Sequence, residues 1–125
     1  MTSAVDFVID TNVVIGLLKA HPPATALAEQ VGLDLGRSVI SQITRMELLS
    51  FGDLDAQEEA AIREFVAACR VHGLDEGVED ATIRIRRARA CKLPDAIVLA
   101  TARVCGARLV TLDQRLHQLA EEADA

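Results

Sequence analysis

Tryptophan and tyrosine are absent from the chain and phenylalanine occurs only three times in 125 residues, so the aromatic platform on which single-strand binders stack bases is missing. Cysteine is scarce too: Cys69, Cys91 and Cys105 are odd in number and show no C-x-x-C spacing. Neither a disulfide framework nor a zinc site is indicated, and buried, reduced thiols are expected. His21, His72 and His117 are scattered, without the paired spacing of metal-binding histidines on one helix, and receive no role. No apolar run approaches the roughly eighteen residues of a membrane span. The start, Met1-Thr2-Ser3-Ala4-Val5-Asp6, lacks the basic segment and apolar core of a secretory signal, so a cytoplasmic protein without membrane association is expected. Basic residues are in the minority, 13 against 19 acids for a net charge of −6. That balance argues against a nonspecific grip on nucleic acid, leaving room for a locally basic rim.

What is present is alternation. The length suits one domain, residues 1–125, with a single core. Residues 5–9 form a β-rich run, and Val13, Val14, Leu17 and Leu18 then recur at helical spacing. A second helix is expected over residues 24–31 behind Pro22-Pro23, a short strand over 38–41, and a helix over 43–51 stopped by Gly52. Asp55 is a plausible N-cap for a long amphipathic helix carrying Ile62, Phe65, Val66 and Cys69 on one face. Residues 70–74 carry a weak strand signal. Helices follow over 76–90 and 96–104, the latter with Pro94 in its first turn and Gly106 at its end. A fourth strand covers 108–111, and a short helix around Leu116 and Leu119 precedes a frayed tail, 121–125. Strands alternating with helices imply an α/β fold with a parallel sheet covered on both faces. No repeat, linker or low-complexity segment interrupts it.

Four acids stand out by position. Asp10 directly follows the first strand, Glu47 sits in the helix after the second, Asp95 begins a helix, and Asp113 closely follows the fourth strand. Strand C-termini of a parallel sheet share one edge, the edge where open α/β sheets bind ligands, so topology can bring these acids together. Converging carboxylates raise one another's pKa unless a cation neutralises them, and oxygen-only ligands select a hard ion, Mg2+ or Mn2+. Each acid also has an ordinary reading. Asp95 can be favourable charge at a helix N-terminus, worth about 0.3–1 kcal/mol, Glu47 a solvated helix residue, and Asp113 an N-cap. Asp10, closing a buried strand, is the hardest to explain in that way.

The segments Val8-Ile9-Asp10-Thr11-Asn12, Thr44-Arg45-Met46-Glu47-Leu48, Leu93-Pro94-Asp95-Ala96 and Leu109-Val110-Thr111-Leu112-Asp113 resemble, in order, the four motifs of a PIN-domain nuclease. Length and motif order most resemble the VapC toxins of bacterial type II toxin–antitoxin pairs, which are Mg2+-dependent endoribonucleases. The resemblance implies an acidic metal pocket of Asp10, Glu47, Asp95 and Asp113, with Thr11, Asn12 and Thr111 as supporting hydrogen-bond groups. It also implies an RNA substrate, a small antitoxin partner and a homodimer. Many family members carry Asn where Asp113 stands and an acid three residues later, where this chain has Leu116, so Asp113 stands in for that pair. Four strands are expected, with a fifth left open because the chain ends soon after Leu119.

Arg84, Arg86, Arg87, Arg89 and Lys92 form the one dense basic stretch. At 100° per residue Arg86, Arg89 and Lys92 flank one side of a helix and Arg84 and Arg87 lie elsewhere, so an RNA contact through Arg86 and Arg89 competes with a solvated face. Arg45, two residues before Glu47, is a further candidate for phosphate contact. Two competing functions remain. A PIN-like fold kept as a binding module would be marked by loss of one of the four acids, and none is missing. Phosphotransfer on Asp10 wants a second acid close by and a late lysine, whereas position 12 is Asn and the lysines are Lys19 and Lys92.

Overall fold

Short strands build the sheet. In the computed structural model, which describes residues 5–122, β1 spans Phe7–Ile9, β2 Ser38–Ser41, β3 Arg70–His72 and β4 Arg108–Val110. They form one four-stranded sheet in the order β3-β2-β1-β4. Every neighbouring pair is parallel, with Val8 opposite both Val39 and Leu109. No fifth strand occurs among the described residues. Successive side chains alternate between faces. Val8, Val39 and Leu109 point into one apolar layer, and Phe7, Ile9, Ile40 and Val110 into the other.

Among the described residues seven α-helices cover these faces: α1 Thr11–Leu18, α2 Pro22–Val31, α3 Gln42–Leu49, α4 Ala56–Ala67, α5 Glu76–Ala88, α6 Leu93–Cys105 and α7 Gln114–Glu121. From β1 the chain winds outward through β2 to β3, then returns to place β4 on the other side of β1. Right-handed crossovers running in opposite directions deposit their helices on opposite faces. Accordingly Val13, Val14, Leu48, Ile62 and Val66 from α1, α3 and α4 pack on the Ile9 side. Val78, Ile85, Val98, Leu99 and Leu116 from α5, α6 and α7 pack on the Val8 side. The winding direction reverses between β1 and β4, and the crevice beyond their C-terminal ends is the topological switch point where such sheets bind ligands.

Several boundaries differ from expectation for local reasons. The helix expected over residues 43–51 stops at Leu49. The Ser50 hydroxyl donates to the Met46 carbonyl while its N–H turns to Glu47 O at 3.2 Å, and Gly52 lies beyond. α2 and α6 begin earlier than expected, at Pro22 and Leu93, because proline in the first turn leaves no N–H to satisfy. Gly106 ends α6 in the left-handed region at φ 63°, as expected, and Gly32 does the same for α2 at φ 69°. Asp55 and Glu58 form a reciprocal capping box on α4. The three cysteines are half-buried rather than buried, since they lie after or at helix ends, where they pack on the margins of the core. Burial still pushes the Cys69 thiol up to about 11. Of the tail 121–125, Glu121 closes α7, and 123–125 lie outside the described residues. No described helix is long and apolar enough to cross a membrane.

α1 and α2 cross so closely that a Cβ built on Gly16 would stand 2.5 Å from the Ala24 Cβ. Gly16→Ala is therefore expected to destabilise by about 1–3 kcal/mol through overpacking, despite alanine's better helix propensity. Urea denaturation measures it. A midpoint at or above that of the unaltered chain would mean the two helices part freely.

Candidate acidic active site

Asp10 is the first residue beyond β1. Its backbone N–H still donates to Val110 O at 3.0 Å, so the sheet holds its backbone while its side chain enters the switch-point crevice. Only 7% of it is exposed. One carboxylate oxygen accepts the Thr11 N–H at 2.8 Å. The other accepts the Thr111 hydroxyl at 2.8 Å and the Asn12 amide at 3.2 Å. Thr111 is a junction, because its Oγ1 also accepts the Asp113 N–H at 3.1 Å. Asn12 Oδ1 accepts the Leu112 N–H at 3.0 Å, stapling the ends of β1 and β4 together. The three residues expected to support the site thus fix the orientation of one carboxylate.

Glu47 arrives from α3, half-buried, and its Oε1 accepts the Thr11 hydroxyl at 2.8 Å. Thr11 therefore bridges two acids that are 37 positions apart in sequence, its N–H on Asp10 and its hydroxyl on Glu47. Asp95 lies half-buried in the first turn of α6. Asp113 is exposed and caps α7, with Oδ1 accepting the Leu116 N–H at 3.0 Å. Its capping role is real, and its second oxygen has no protein partner among the described residues.

Burial pushes the Asp10 carboxyl above its ordinary range. The Thr111 and Thr11 hydrogen bonds oppose this, and the charges of Asp95 and Glu47 add to it. Asp95 is raised too, by burial first and then by Asp113, with Lys92 opposing, Glu47 adding and Arg115 opposing. Asp10 thus feels the charge of Asp95 and Glu47, and Asp95 that of Asp113 and Glu47, in one crevice. Among the described residues no three His, Cys, Asp or Glu side chains stand close enough to enclose a metal ion directly. The donor set, carboxylate oxygens only, nonetheless fits a hard cation that keeps several of its own waters.

The basic candidates divide. Arg45 is exposed on α3. Arg86 lies beside the acids, lining a cleft of about 500 Å³ together with Lys92, Asp95, Asp113 and Arg115. Arg89 is turned away into an ion pair with Glu122 at 2.8 Å. Sequence reading missed Arg115. Its one signal was a cation two residues past Asp113, in the first turn of a short helix.

A family model for the PIN domain matches residues 7–122, and the chain belongs to the PIN-domain family. Among solved structures it is similar in fold to VapC-like members. A toxin–antitoxin complex from Klebsiella pneumoniae superposes with a TM-score of 0.75 at 27% identity over 90% of this chain and 88% of that one. DNA-bound VapBC from Salmonella typhimurium gives 0.77 at 25% identity, covering 91% of each chain. VapBC-1 from nontypeable Haemophilus influenzae gives 0.71 at 25% identity, again over 91% of each. No curated protein sequence matches the chain.

Proposed function

We propose that this protein is a Mg2+-dependent endoribonuclease, with Mn2+ able to substitute, and the toxin of a type II toxin–antitoxin pair. What supports this reading is the crevice at the switch point, where Asp10 and Asp95 are both held above their ordinary pKa, first by burial and then by the charges of Asp95 and Glu47 on Asp10 and of Asp113 and Glu47 on Asp95. A cation bound there supplies charge neutralisation, a polarised phosphoryl oxygen and a more acidic water. Asp10 and Asp95 are its direct ligands. Asp10 is pre-oriented by Thr111, Asn12 and the Thr11 N–H, and the hydroxyl of Thr11 holds Glu47 in place. Glu47 and Asp113 act through water or orient the nucleophile, and Asp113 holds its place by capping α7. Arg45 and Arg86 contact the RNA backbone. Arg89, occupied by Glu122, is the weakest of the three basic candidates.

The partner reading rests on the solved relatives being toxin–antitoxin assemblies. Val13, Val14, Ile62 and Val66 are consumed by core packing, whereas Leu18 and Phe51 remain exposed, 40% and 47%. They border a cleft of about 310 Å³ between α1 and α4, where an antitoxin helix would lay its apolar face. A homodimer and a cytoplasmic setting complete the assignment.

The competing reading, a noncatalytic PIN module, draws on the absence of a closed three-residue cluster among the described residues. Incubating the purified protein with total cellular RNA separates the two. Fragments are expected with Mg2+ or Mn2+ and none with a chelator. No cleavage together with no heat on adding metal would leave only the noncatalytic module.

A further inference from the structure

The cleft beside the acids is lined by three cations that have no carboxylate partner. Arg37, Arg63 and Arg89 are each paired with an acid, whereas Arg86, Lys92 and Arg115 are in no ion pair among the described residues, although Asp95 and Asp113 line the same cleft. Two of them are held off those acids by the backbone. Arg86 Nε donates to Cys91 O at 3.2 Å, and an Arg115 terminal nitrogen donates to Ala90 O at 2.8 Å. Each guanidinium spends one donor pinning the loop that carries Lys92 and keeps the rest of its five N–H groups. In a chain of net charge −6, three cations against two carboxylates leave this one cavity of about 500 Å³ net positive, a local site for an anion.

Resting on the nuclease reading, we infer that Arg86, Lys92 and Arg115 form a subsite for a phosphate of the RNA strand next to the one cleaved at Asp10. Planar guanidinium forks match phosphate oxygens, and a polyanion is the ligand that must enter this crevice. The cleft has no aromatic lining, so it grips backbone rather than stacking a base and positions the strand without reading its sequence.

The test is steady-state cleavage of a short single-stranded RNA with Mg2+. Lys92→Gln and Arg115→Gln, made separately, are each expected to raise KM about tenfold, the scale of a hydrogen bond to a charged group, with kcat little changed, the mark of lost uniform binding. The dependence of log KM on log salt should flatten by about 0.7 for each lost phosphate contact. Arg63→Gln, on α4 and paired there with Glu59, serves as the control with unchanged KM. Lys92 makes no side-chain hydrogen bond among the described residues, so its variant stays informative even if Arg115→Gln loosens the loop. An unchanged KM and salt slope in Lys92→Gln, with cleavage intact, overturns the subsite and leaves the nuclease reading standing. A lack of cleavage by the unaltered chain overturns both.

Discussion

Asp10→Asn is expected to slow RNA cleavage by more than about a hundredfold while leaving the fold intact. Replacing groups that merely orient a metal ligand commonly costs 10–100-fold, and Asp10 is itself the proposed ligand. The amide preserves the shape and one acceptor for the Thr11 N–H, so circular dichroism should not change. Stability should move in the opposite sense to activity. The Asp10 carboxyl is raised in the fold. Between the ordinary carboxylate pKa and that raised value the folded chain therefore binds more protons than the unfolded one, and metal-free stability falls as pH rises through the window. Asparagine does not titrate. The variant should gain on the unaltered chain across that window and then hold its advantage, as chelator-treated samples melted at a series of pH values would show. A variant that melts lower at neutral pH would mean that Asp10 is a structural cap rather than a strained, functional acid.

Adding Mg2+ to the metal-free protein should have the second large effect. A cation in the crevice offsets the burial, and after it the carboxylate repulsion, that raise Asp10 and Asp95. At a hundredfold excess over Kd, binding to the folded state alone adds about 2.7 kcal/mol. For a domain near this size that corresponds to a rise in Tm on the order of 10 °C. Na+ at matched ionic strength should produce little of it, since screening acts weakly on partly buried charges. An equal shift with Na+ would point to general screening of a chain with net charge −6.

Much of this was visible in the residues. Most of the strands and helices among the described residues follow from apolar pattern, β3 only from a weak strand signal and α5 from composition, and the caps at Asp55 and Gly106 from local chemistry. The errors lie where side chain and backbone compete. Ser50 ends α3 through its own hydroxyl, and Pro22 opens α2 earlier than the apolar pattern does. The site was partly legible. Asp10 and its neighbours are local to one motif, so their mutual hydrogen bonds could be anticipated. Thr11 gripping Glu47 depends on α3 packing back beside α1 after β2, and Thr111 reaching Asp10 on the return of β4 beside β1. The basic side of the crevice was the least legible. Arg89 looked equivalent to Arg86 on helical spacing, yet helix α5 ends at Ala88, which swings Arg89 toward Glu122. Arg115 entered from a different helix, with no pattern linking it to the acids.

Isothermal titration of Mn2+ into chelator-treated protein and its single amide variants most directly tests whether these carboxylates share one hard cation. The expected result is saturable heat with the unaltered chain, its loss in Asp10→Asn and Asp95→Asn, and weaker binding in Glu47→Gln and Asp113→Asn. Full-strength binding in both Asp10→Asn and Asp95→Asn, or no binding by the unaltered chain, would contradict it.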